Sequence, residues 1–252
     1  MNVWAIVVIC NRRLSESPSF ISAISQPDIQ VVVCDNSTES LNNQEEARQA
    51  GAWYLSMQGN KGLSKAYNRS LEFIKPNHPD WVVILDDDTK LTDHYWNTLR
   101  SLKTDQAIHI PVVKTDSGMI ISPAEMRRDL PVAAKDIDRI KDLTAINSGM
   151  VLPGDLAARQ RYDERLFLDN VDHQFLKDCK SEHVKIEIMS TELIQDFSAE
   201  EADFDQLARR FRIFKRDTIA YYSKNPWKGR FILLKRRLRL FAQCRKLEAL
   251  FL

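Results

Sequence analysis

Short apolar runs rich in Val and Ile recur along the chain with stretches of helical character between them, and this alternation admits few folds. The runs cover residues 3–9, 31–34, 53–57, 81–85, 108–113 and 184–189. Runs of about four to eight residues separated by helical segments indicate a largely parallel sheet flanked by helices. With 252 residues, 44% of them hydrophobic, the chain can build one such domain and a short appendage. We therefore predict an α/β fold with a Rossmann-like layered domain.

Charge divides the chain into two parts. Residues 206–252 hold 14 Lys or Arg against 2 Asp or Glu, a net charge of +12, whereas residues 1–205 carry −11. This asymmetry predicts a body of residues 1–205 followed by a basic extension of residues 206–252. Because the body is acidic and no RNA- or DNA-binding motif is present, nucleic acid is not an expected partner.

The basic extension contains an amphipathic pattern. Phe231, Leu234, Leu238 and Phe241 recur at spacings of three and four, and basic residues occupy the other faces. This pattern predicts a basic amphipathic helix within residues 231–247. Two interpretations stay open: the apolar stripe contacts an anionic membrane surface, or it docks on the body or on a second subunit of a homo-oligomer.

The sequence also indicates a cellular location. The apolar run at residues 3–9 has no basic residues before it and no small-residue cleavage site after it, so we do not interpret it as a signal peptide. No stretch approaches the roughly 20 apolar residues of a membrane span. The four cysteines, Cys10, Cys34, Cys179 and Cys244, lack paired spacing. We predict a cytoplasmic protein with reduced thiols, with peripheral attachment to the inner face of the membrane left open.

Polar side chains follow four of the apolar runs. They are Asn11, Arg12 and Arg13; Asp35, Asn36 and Ser37; residues 58–62; and Asp86, Asp87 and Asp88. In open parallel sheets ligands bind outside the carboxyl ends of the strands. We therefore expect a binding site where these four strand ends meet.

The three carboxylates Asp86, Asp87 and Asp88 end an apolar strand abruptly. Like charges this close repel one another, so they need a cation or a set of hydrogen-bond donors. Oxygen ligands of this kind suit Mg²⁺ or Mn²⁺, which also bind phosphate oxygens. The alternative interpretation is a solvated acidic turn.

A second acidic cluster offers a candidate general base. Asp169 and Asp172 are interleaved with apolar residues at helical spacing, namely Phe167, Leu168, Val171 and Phe175. We expect both carboxylates to share a face at a helix start, where partial desolvation raises proton affinity. Alternatively, the carboxylates only complement the helix dipole.

Residues 60–70 form a glycine-bearing loop that runs into a helix. Its amides and the side chains of Asn60 and Asn68 could line a nucleotide site. The sequence lacks the Gly-Lys-Ser/Thr ending of a phosphate loop.

The order of these motifs resembles glycosyltransferase family 2. The matching residues are Asn11-Arg12, Asp35-Asn36-Ser37, Asn60-x-Gly62-x-Ser64-x-Ala66-x-Asn68, the Asp86 to Asp88 triplet, Asn147-Ser148-Gly149 and Asp163-Glu164-x-x-Phe167-x-Asp169-x-x-Asp172. Within that family the chain looks most like the bacterial rhamnosyl- and galactofuranosyltransferase branch, over about residues 3–200. The resemblance implies the GT-A fold, a mixed and mostly parallel Rossmann-like sheet flanked by helices, here followed by the basic helical tail.

The resemblance also implies roles. Asp35 meets the nucleobase, Asp86 lies near the ribose, Asp88 holds a metal, and Asp172 is the catalytic base with Asp169 in reserve. The donor-binding residues it implies are Asn11, Arg12, Asp35, Asn36, Asn60, Gly62, Asn68, Asp86, Asp87, Asn147, Ser148 and Gly149. The metal ligands it implies, for Mn²⁺ or Mg²⁺, are Asp88, Asp86 and Gln195.

The activity implied is an inverting transfer of a hexosyl residue from a UDP- or dTDP-sugar to a glycan acceptor hydroxyl. The acceptor implied is a lipid-linked glycan of bacterial surface polysaccharide synthesis, such as O-antigen or capsule.

Three positions limit or sharpen this prediction. Gln195 stands where the family often has a metal-binding His, so Gln195 or Asp196 replaces that ligand or the metal is held by fewer groups. Gln174 stands where an acidic residue is common. The loss of the His leaves one alternative function, a catalytically silent sugar-nucleotide-binding or assembly subunit on the same fold. An aspartate-based phosphatase is disfavoured because Lys90 occupies the position that its motif reserves for Thr.

Overall fold

The computed structural model describes residues 1–103, 106–134, 136–195 and 203–252. Asp196, the alternative to Gln195 as a metal ligand, lies outside the described residues. The strands are β1 (Val3–Ile9), β2 (Ile29–Asp35), β3 (Trp53–Ser56), β4 (Trp81–Asp86), β5 (Thr89–Lys90), β6 (Ile108–Lys114), β7 (Ile120–Ser122), β8 (Ala124–Arg127), β9 (Leu130–Ala133), β10 (Leu143–Thr144), β11 (Met150–Pro153) and β12 (Ile186–Gln195). The helices are α1 (Pro18–Ile24), α2 (Asn43–Ala50), α3 (Leu63–Ile74), α4 (Asp93–Ser101), α5 (Gly154–Arg159), α6 (Val171–Ser181), α7 (Phe204–Tyr221) and α8 (Pro226–Cys244).

The main sheet has the strand order β3-β2-β1-β4-β11-β6-β12-β5, with β7 beside β6. The four strands β3, β2, β1 and β4 are parallel to one another, and so are β6 and β12. β11 runs antiparallel between β4 and β6. All six apolar runs form strands, which confirms the predicted α/β fold with a mixed, mostly parallel sheet flanked by helices.

Alternation along β1 explains why helices cover both faces. Trp4, Ile6 and Val8 pack with α3, α5 and α6, whereas Val3, Ala5, Val7 and Ile9 pack with α1 and α4. Successive strand side chains point to opposite faces, so a strand that is apolar throughout must be buried on both sides. The sheet therefore forms the middle of three layers.

Two features were not predicted from the sequence. β11 is short and ends at Pro153, and its neighbours in the sequence give no apolar run. A separate antiparallel sheet, in the order β10-β8-β9, occupies the region between β7 and β11.

The basic extension is helical and packs against itself and the body. Asp203 caps α7 through a capping box with Gln206. Phe211 of α7, Leu233 and Leu240 of α8, and Ala249 form a small core. The amphipathic helix predicted within residues 231–247 is present as residues 231–244 of α8. Phe241, predicted on the same apolar stripe as Phe231, is instead half-buried and packs against the small core. Within the described part of the chain, no helix is long and apolar enough to cross a bilayer.

Candidate functional site

Asp86 lies at the carboxyl end of β4 and is held on both sides. The Tyr67 hydroxyl donates to Asp86 Oδ1 at 2.6 Å, and the Ser148 hydroxyl donates to Oδ2 at 2.7 Å. Burial raises the pKa of Asp86 to about 6, and the charges of Asp88 and Asp172 also raise it. The fold therefore brings the two acidic clusters, far apart in sequence, to the same strand end.

Gln195 lies beside Asp88 because β12 pairs with β5, which places Gln195 opposite Thr89. Gln195 Nε2 donates to Asp88 Oδ1 at 3.0 Å, and Gln195 Oε1 lies 3.3 Å from Ser148 Oγ. The Ser148 hydroxyl has one hydrogen, and its shorter contact is with Asp86. Rotation of the Gln195 amide would let Nε2 donate to Ser148 and would turn Oε1 toward Asp88.

Two oxygen donors suit a divalent cation at this point. A Mg²⁺ or Mn²⁺ ion is often bound by one or two protein oxygens together with substrate phosphates and water. Asp88 and the rotated Gln195 amide meet that requirement, whereas both oxygens of Asp86 already accept hydrogen bonds. No group of three or more His, Cys, Asp or Glu side chains able to hold a metal occurs among the described residues. These residues fit a metal that would be held mainly by substrate phosphates and water and only in part by the protein.

Asp87 anchors the segment that follows β1. Its Oδ2 accepts a hydrogen bond from the Cys10 backbone N at 3.2 Å, and its Oδ1 lies 3.5 Å from Arg12 Nε. Its backbone carbonyl accepts from the Ser17 hydroxyl at 2.7 Å. The contacts of Asp87 and Arg12 are thus with each other and with neighbouring protein groups, so both residues shape the edge of the site.

Asp172 lies in the first turn of α6. Its Oδ1 accepts from the His173 backbone N at 2.7 Å, which leaves Oδ2 without a hydrogen bond among the described residues. Burial raises the pKa of Tyr67 and of Tyr162, and the charge of Asp172 adds to both shifts. Asp172 therefore lies close enough to Tyr67 and Tyr162 for its charge to act on both, and one of its carboxylate oxygens is available.

Asp169 differs from Asp172 in its contacts. Both of its oxygens bind the Arg210 guanidinium at 2.6 Å. The helix begins at Val171, so Asp169 lies in the loop before it, and the predicted shared helical face of Asp169 and Asp172 is wrong. Because both oxygens of Asp169 are bound to the guanidinium, neither is free to contact an acceptor hydroxyl. The structure thus gives the reserve base predicted at Asp169 no support.

The loop before α6 is fixed by a buried carboxylate from α7. Asp217 accepts hydrogen bonds from the backbone N of Phe167 at 2.9 Å and from those of Leu168 and Asp169 at 2.8 Å each. On the other side, the Leu63 backbone N donates to the Phe167 carbonyl at 2.6 Å. The basic extension therefore helps to hold the loop that leads to Asp172.

Gly62 is required where α3 approaches this loop. Its φ is +94°, and an added Cβ would lie 2.6 Å from the ring of Phe167. Any other residue would be strained and would displace the loop. Gly62, predicted to bind the donor, thus has a packing role that is visible in the structure.

A polar cleft of about 360 Å³ lies at the ends of β2 and β3 and includes Asp35. Asp35 Oδ1 accepts from the Ser37 backbone N at 2.9 Å, and Oδ2 accepts from the Tyr54 hydroxyl at 2.9 Å and from Asn43 Nδ2 at 3.2 Å. Burial, and then the hydrogen bond to Asp35, raises the pKa of Tyr54 to about 12. Asp35 is thus held as an acceptor in the lining of the cleft.

Asparagines connect the neighbouring strand ends. Asn11, with a positive φ of 51°, accepts from the Thr38 backbone N at 2.8 Å. Asn36 Nδ2 donates to Asn60 Oδ1 at 3.1 Å, and Asn36 Oδ1 accepts from the Lys61 backbone N at 2.7 Å. Three of the predicted donor-binding residues, Asn11, Asn36 and Asn60, are thereby brought to one edge of the sheet.

Asn68 and Asn147 instead hold Tyr162. Asn68 Oδ1 accepts from the Tyr162 backbone N at 2.8 Å, and Asn68 Nδ2 donates to the Tyr162 carbonyl at 3.0 Å. The Tyr162 hydroxyl donates to Asn147 Oδ1 at 3.0 Å. Gly149 adopts a φ of +77°, and its carbonyl accepts from Tyr95. Asn68 therefore does not line the Asp35 cleft, and Asn11 and Asn60 lie at the adjacent strand ends without lining it either.

Several site residues were not predicted from the sequence. They are Tyr54, Tyr67, Tyr162, Arg210 and Asp217. The tyrosines lie within apolar patterns that predict only core packing. Asp217 had a usable signal, since it is one of only two acidic residues in the basic extension.

The chain matches no protein-family model and no curated protein. It is similar in fold to a crystal structure of residues 1–349 of S. aureus TarS in complex with UDP, with a TM-score of 0.56 and 16% sequence identity over 96% of this chain and 72% of that one. A longer S. aureus TarS structure aligns with a TM-score of 0.51 and 16% identity, over 98% of this chain and 46% of that one. At this identity the similarity concerns the fold.

Proposed function

We propose that the protein is an inverting glycosyltransferase that moves a hexosyl residue from a UDP- or dTDP-sugar to an acceptor hydroxyl. The observation that carries this proposal is that the fold brings Asp88 and Asp172, from two separate acidic segments, close enough to Asp86 for the charges of both to raise the pKa of Asp86. One of these carboxylates is suited to a metal and the other to a proton. In a transfer reaction a metal can stabilise the charge on the leaving group, and a carboxylate can accept the proton of the nucleophile.

The cleft at Asp35 supports binding of the donor's nucleotide. A uracil or thymine ring offers an N–H donor, and the Asp35 carboxylate lines the cleft. The similarity in fold to a TarS structure that contains UDP supports the same assignment. Asn11, Asn36 and Asn60 shape the adjacent strand ends.

We propose that Mn²⁺ or Mg²⁺ is held by Asp88, with Gln195 contributing Oε1 after its amide rotates. When bound, such a metal offsets the charge on the departing diphosphate. The Gln195 amide already lies between the Asp88 carboxylate and the Ser148 hydroxyl. Because a hydroxyl can donate or accept a hydrogen bond, Ser148 can contact the Gln195 amide in either of its two orientations. These contacts support the assignment.

Asp172 acts as the general base in this proposal. The acceptor hydroxyl gives its proton to Asp172 Oδ2 as its oxygen attacks the anomeric carbon from the face opposite the diphosphate. A new C–O bond forms, the bond to the diphosphate oxygen breaks, and its electron pair leaves with the nucleotide. The configuration inverts because a single displacement occurs. The hydrogen bond from His173 N to Oδ1 fixes the orientation of the carboxylate.

The wider role that we propose is bacterial surface polysaccharide synthesis at the cytoplasmic face of the membrane, with a lipid-linked glycan as acceptor. This part of the proposal depends on the motif pattern of the sequence and on the basic extension.

The direct test is a screen of the purified protein against UDP- and dTDP-sugars, with and without Mn²⁺, by thermal shift and donor hydrolysis. We expect one donor to raise Tm only with metal and to be hydrolysed slowly. If no nucleotide sugar raises Tm under any metal condition, the transferase proposal is wrong. Binding without hydrolysis or transfer would favour the silent sugar-nucleotide-binding subunit instead.

A further inference from the structure

One face of α8 carries an apolar stripe that points away from the body. Trp227, Phe231, Leu234 and Leu238 are 76%, 56%, 50% and 51% exposed. Spacings of four, three and four place them along one line of the helix. The opposite face buries Leu233 and Leu240 in the core shared with α7. The stripe is therefore not the surface that attaches the helix to the protein.

Basic side chains border the stripe on both sides. The Arg230 guanidinium lies 5.2 Å from the ring centre of Trp227, and the Lys235 ammonium lies 4.6 Å from that of Phe231. Arg239 is exposed beside Leu238. α8 contains no acidic residue. This arrangement places cations at the level where lipid headgroups would lie if the apolar stripe entered a bilayer.

The charge of this surface favours a bilayer over a second copy of the chain as the partner of the apolar stripe. Residues 206–252 carry a net charge of +12, so two such faces would repel one another. An anionic bilayer attracts the same surface, and each basic residue within a Debye length contributes roughly a fivefold increase in partitioning. The four exposed apolar residues lie along one line of a 19-residue helix, so the helix can rest lengthwise on a planar surface.

We propose that α8 lies on the surface of an anionic phospholipid bilayer, with Trp227, Phe231, Leu234 and Leu238 inserted among the headgroups. This surface is independent of the donor site. Binding to the bilayer therefore does not require transferase activity, and its test reads binding alone.

The test is co-sedimentation of the full chain with vesicles of phosphatidylglycerol and phosphatidylcholine, compared with phosphatidylcholine alone. We expect binding only to the anionic vesicles, and we expect Leu234→Ser combined with Leu238→Ser to weaken it at least about tenfold. Ile21→Ser is the matched control, since Ile21 is also 50% exposed but lies on α1. An unchanged Tm would show that the double variant remains folded.

Trp227 gives a second readout. Its emission should shift to shorter wavelength on anionic vesicles, and Trp227→Phe should abolish the shift while sedimentation persists. Equal binding by the wild type and the Leu234/Leu238 double variant would overturn the proposal. So would a stable dimer in solution that the double variant dissolves and that does not bind vesicles.

Discussion

The two acidic segments that meet beside β4 resemble each other in how their carboxylates are held. In the first segment, Asp86 accepts protein hydrogen bonds at both carboxylate oxygens, and Asp87 accepts them at one carboxylate oxygen and at its backbone carbonyl. Among the described residues, Asp88 has a single contact, with the Gln195 amide. In the second, Asp169 is paired with Arg210, whereas Asp172 keeps Oδ2 available. Each segment therefore combines anchored carboxylates with one that is available for chemistry.

The segments differ in what supplies the anchors. The Asp86 segment is fixed by side chains of neighbouring core elements, Tyr67 and Ser148. The Asp169 segment is fixed by α7 of the basic extension, through Asp217 and Arg210. The basic extension thus helps to support the candidate site. Substitutions in the two segments and in their anchoring residues should distinguish carboxylates that stabilise the fold from carboxylates that take part in chemistry.

The largest effect on stability should come from Asp217→Asn. An amide cannot accept all three backbone N–H groups of the loop and presents its own donors to them, so we expect the free energy of unfolding to fall by about 3 kcal/mol. Denaturant titration measures this change. Asp205→Asn, an exposed position on the same helix, should change it by under about 0.5 kcal/mol, and an equal loss in both variants would contradict the anchor role.

Comparing Asp88→Asn with Asp87→Asn should distinguish the available carboxylate of Asp88 from the anchored carboxylate of Asp87. We expect metal-dependent donor binding to weaken about 30-fold, or roughly 2 kcal/mol, because the metal loses its charged ligand. Asp87→Asn should keep the metal dependence and lose stability instead. Calorimetric titration of the donor with and without Mn²⁺ distinguishes the two, and a metal effect that survives in Asp88→Asn would remove Asp88 from the metal site.

The strands and the candidate carboxylates could be predicted from the sequence because both leave local patterns. Apolar runs such as 81–85 need burial on two faces, and Asp88 follows such a run directly. Asp217 and Arg210 were not predicted because their partners lie more than forty positions away in sequence. Likewise, the contacts of Asn68 depend on Tyr162, which only the fold brings near.

Asp86→Asn should change how stability depends on pH. The pKa of Asp86 is raised from 3.8 to about 6 in the folded protein, so protonated Asp86 favours the folded state. This contribution to the free energy of unfolding is fully present below about pH 4 and is lost as the pH rises through 6. Asn cannot ionise, and its Nδ2 can donate to Ser148. We expect the metal-free variant to be more stable than the wild type by about 1–2 kcal/mol at pH 8. Thermal unfolding at pH 4.5 and 8 tests this, and a constant difference would contradict it.

The smallest effect should come from Arg210→Gln. The Arg210 side chain is 43% exposed, so solvent screens its pair with Asp169, and we expect a loss of about 0.5–1 kcal/mol in unfolding free energy. Arg209→Gln, an exposed neighbour, serves as the control in the same denaturant series. A loss as large as that of Asp217→Asn would show that the ion pair, and not the buried carboxylate, is the principal anchor.

The central claim is that Asp172 is the base and Asp169 an anchor. The most direct measurement compares donor turnover, at saturating donor and metal, for Asp172→Asn and Asp169→Asn. We expect Asp172→Asn to lower turnover about 10³-fold with unchanged donor Kd, and Asp169→Asn to lower it less than about tenfold. Turnover that survives in Asp172→Asn, or that falls further in Asp169→Asn, would contradict this assignment.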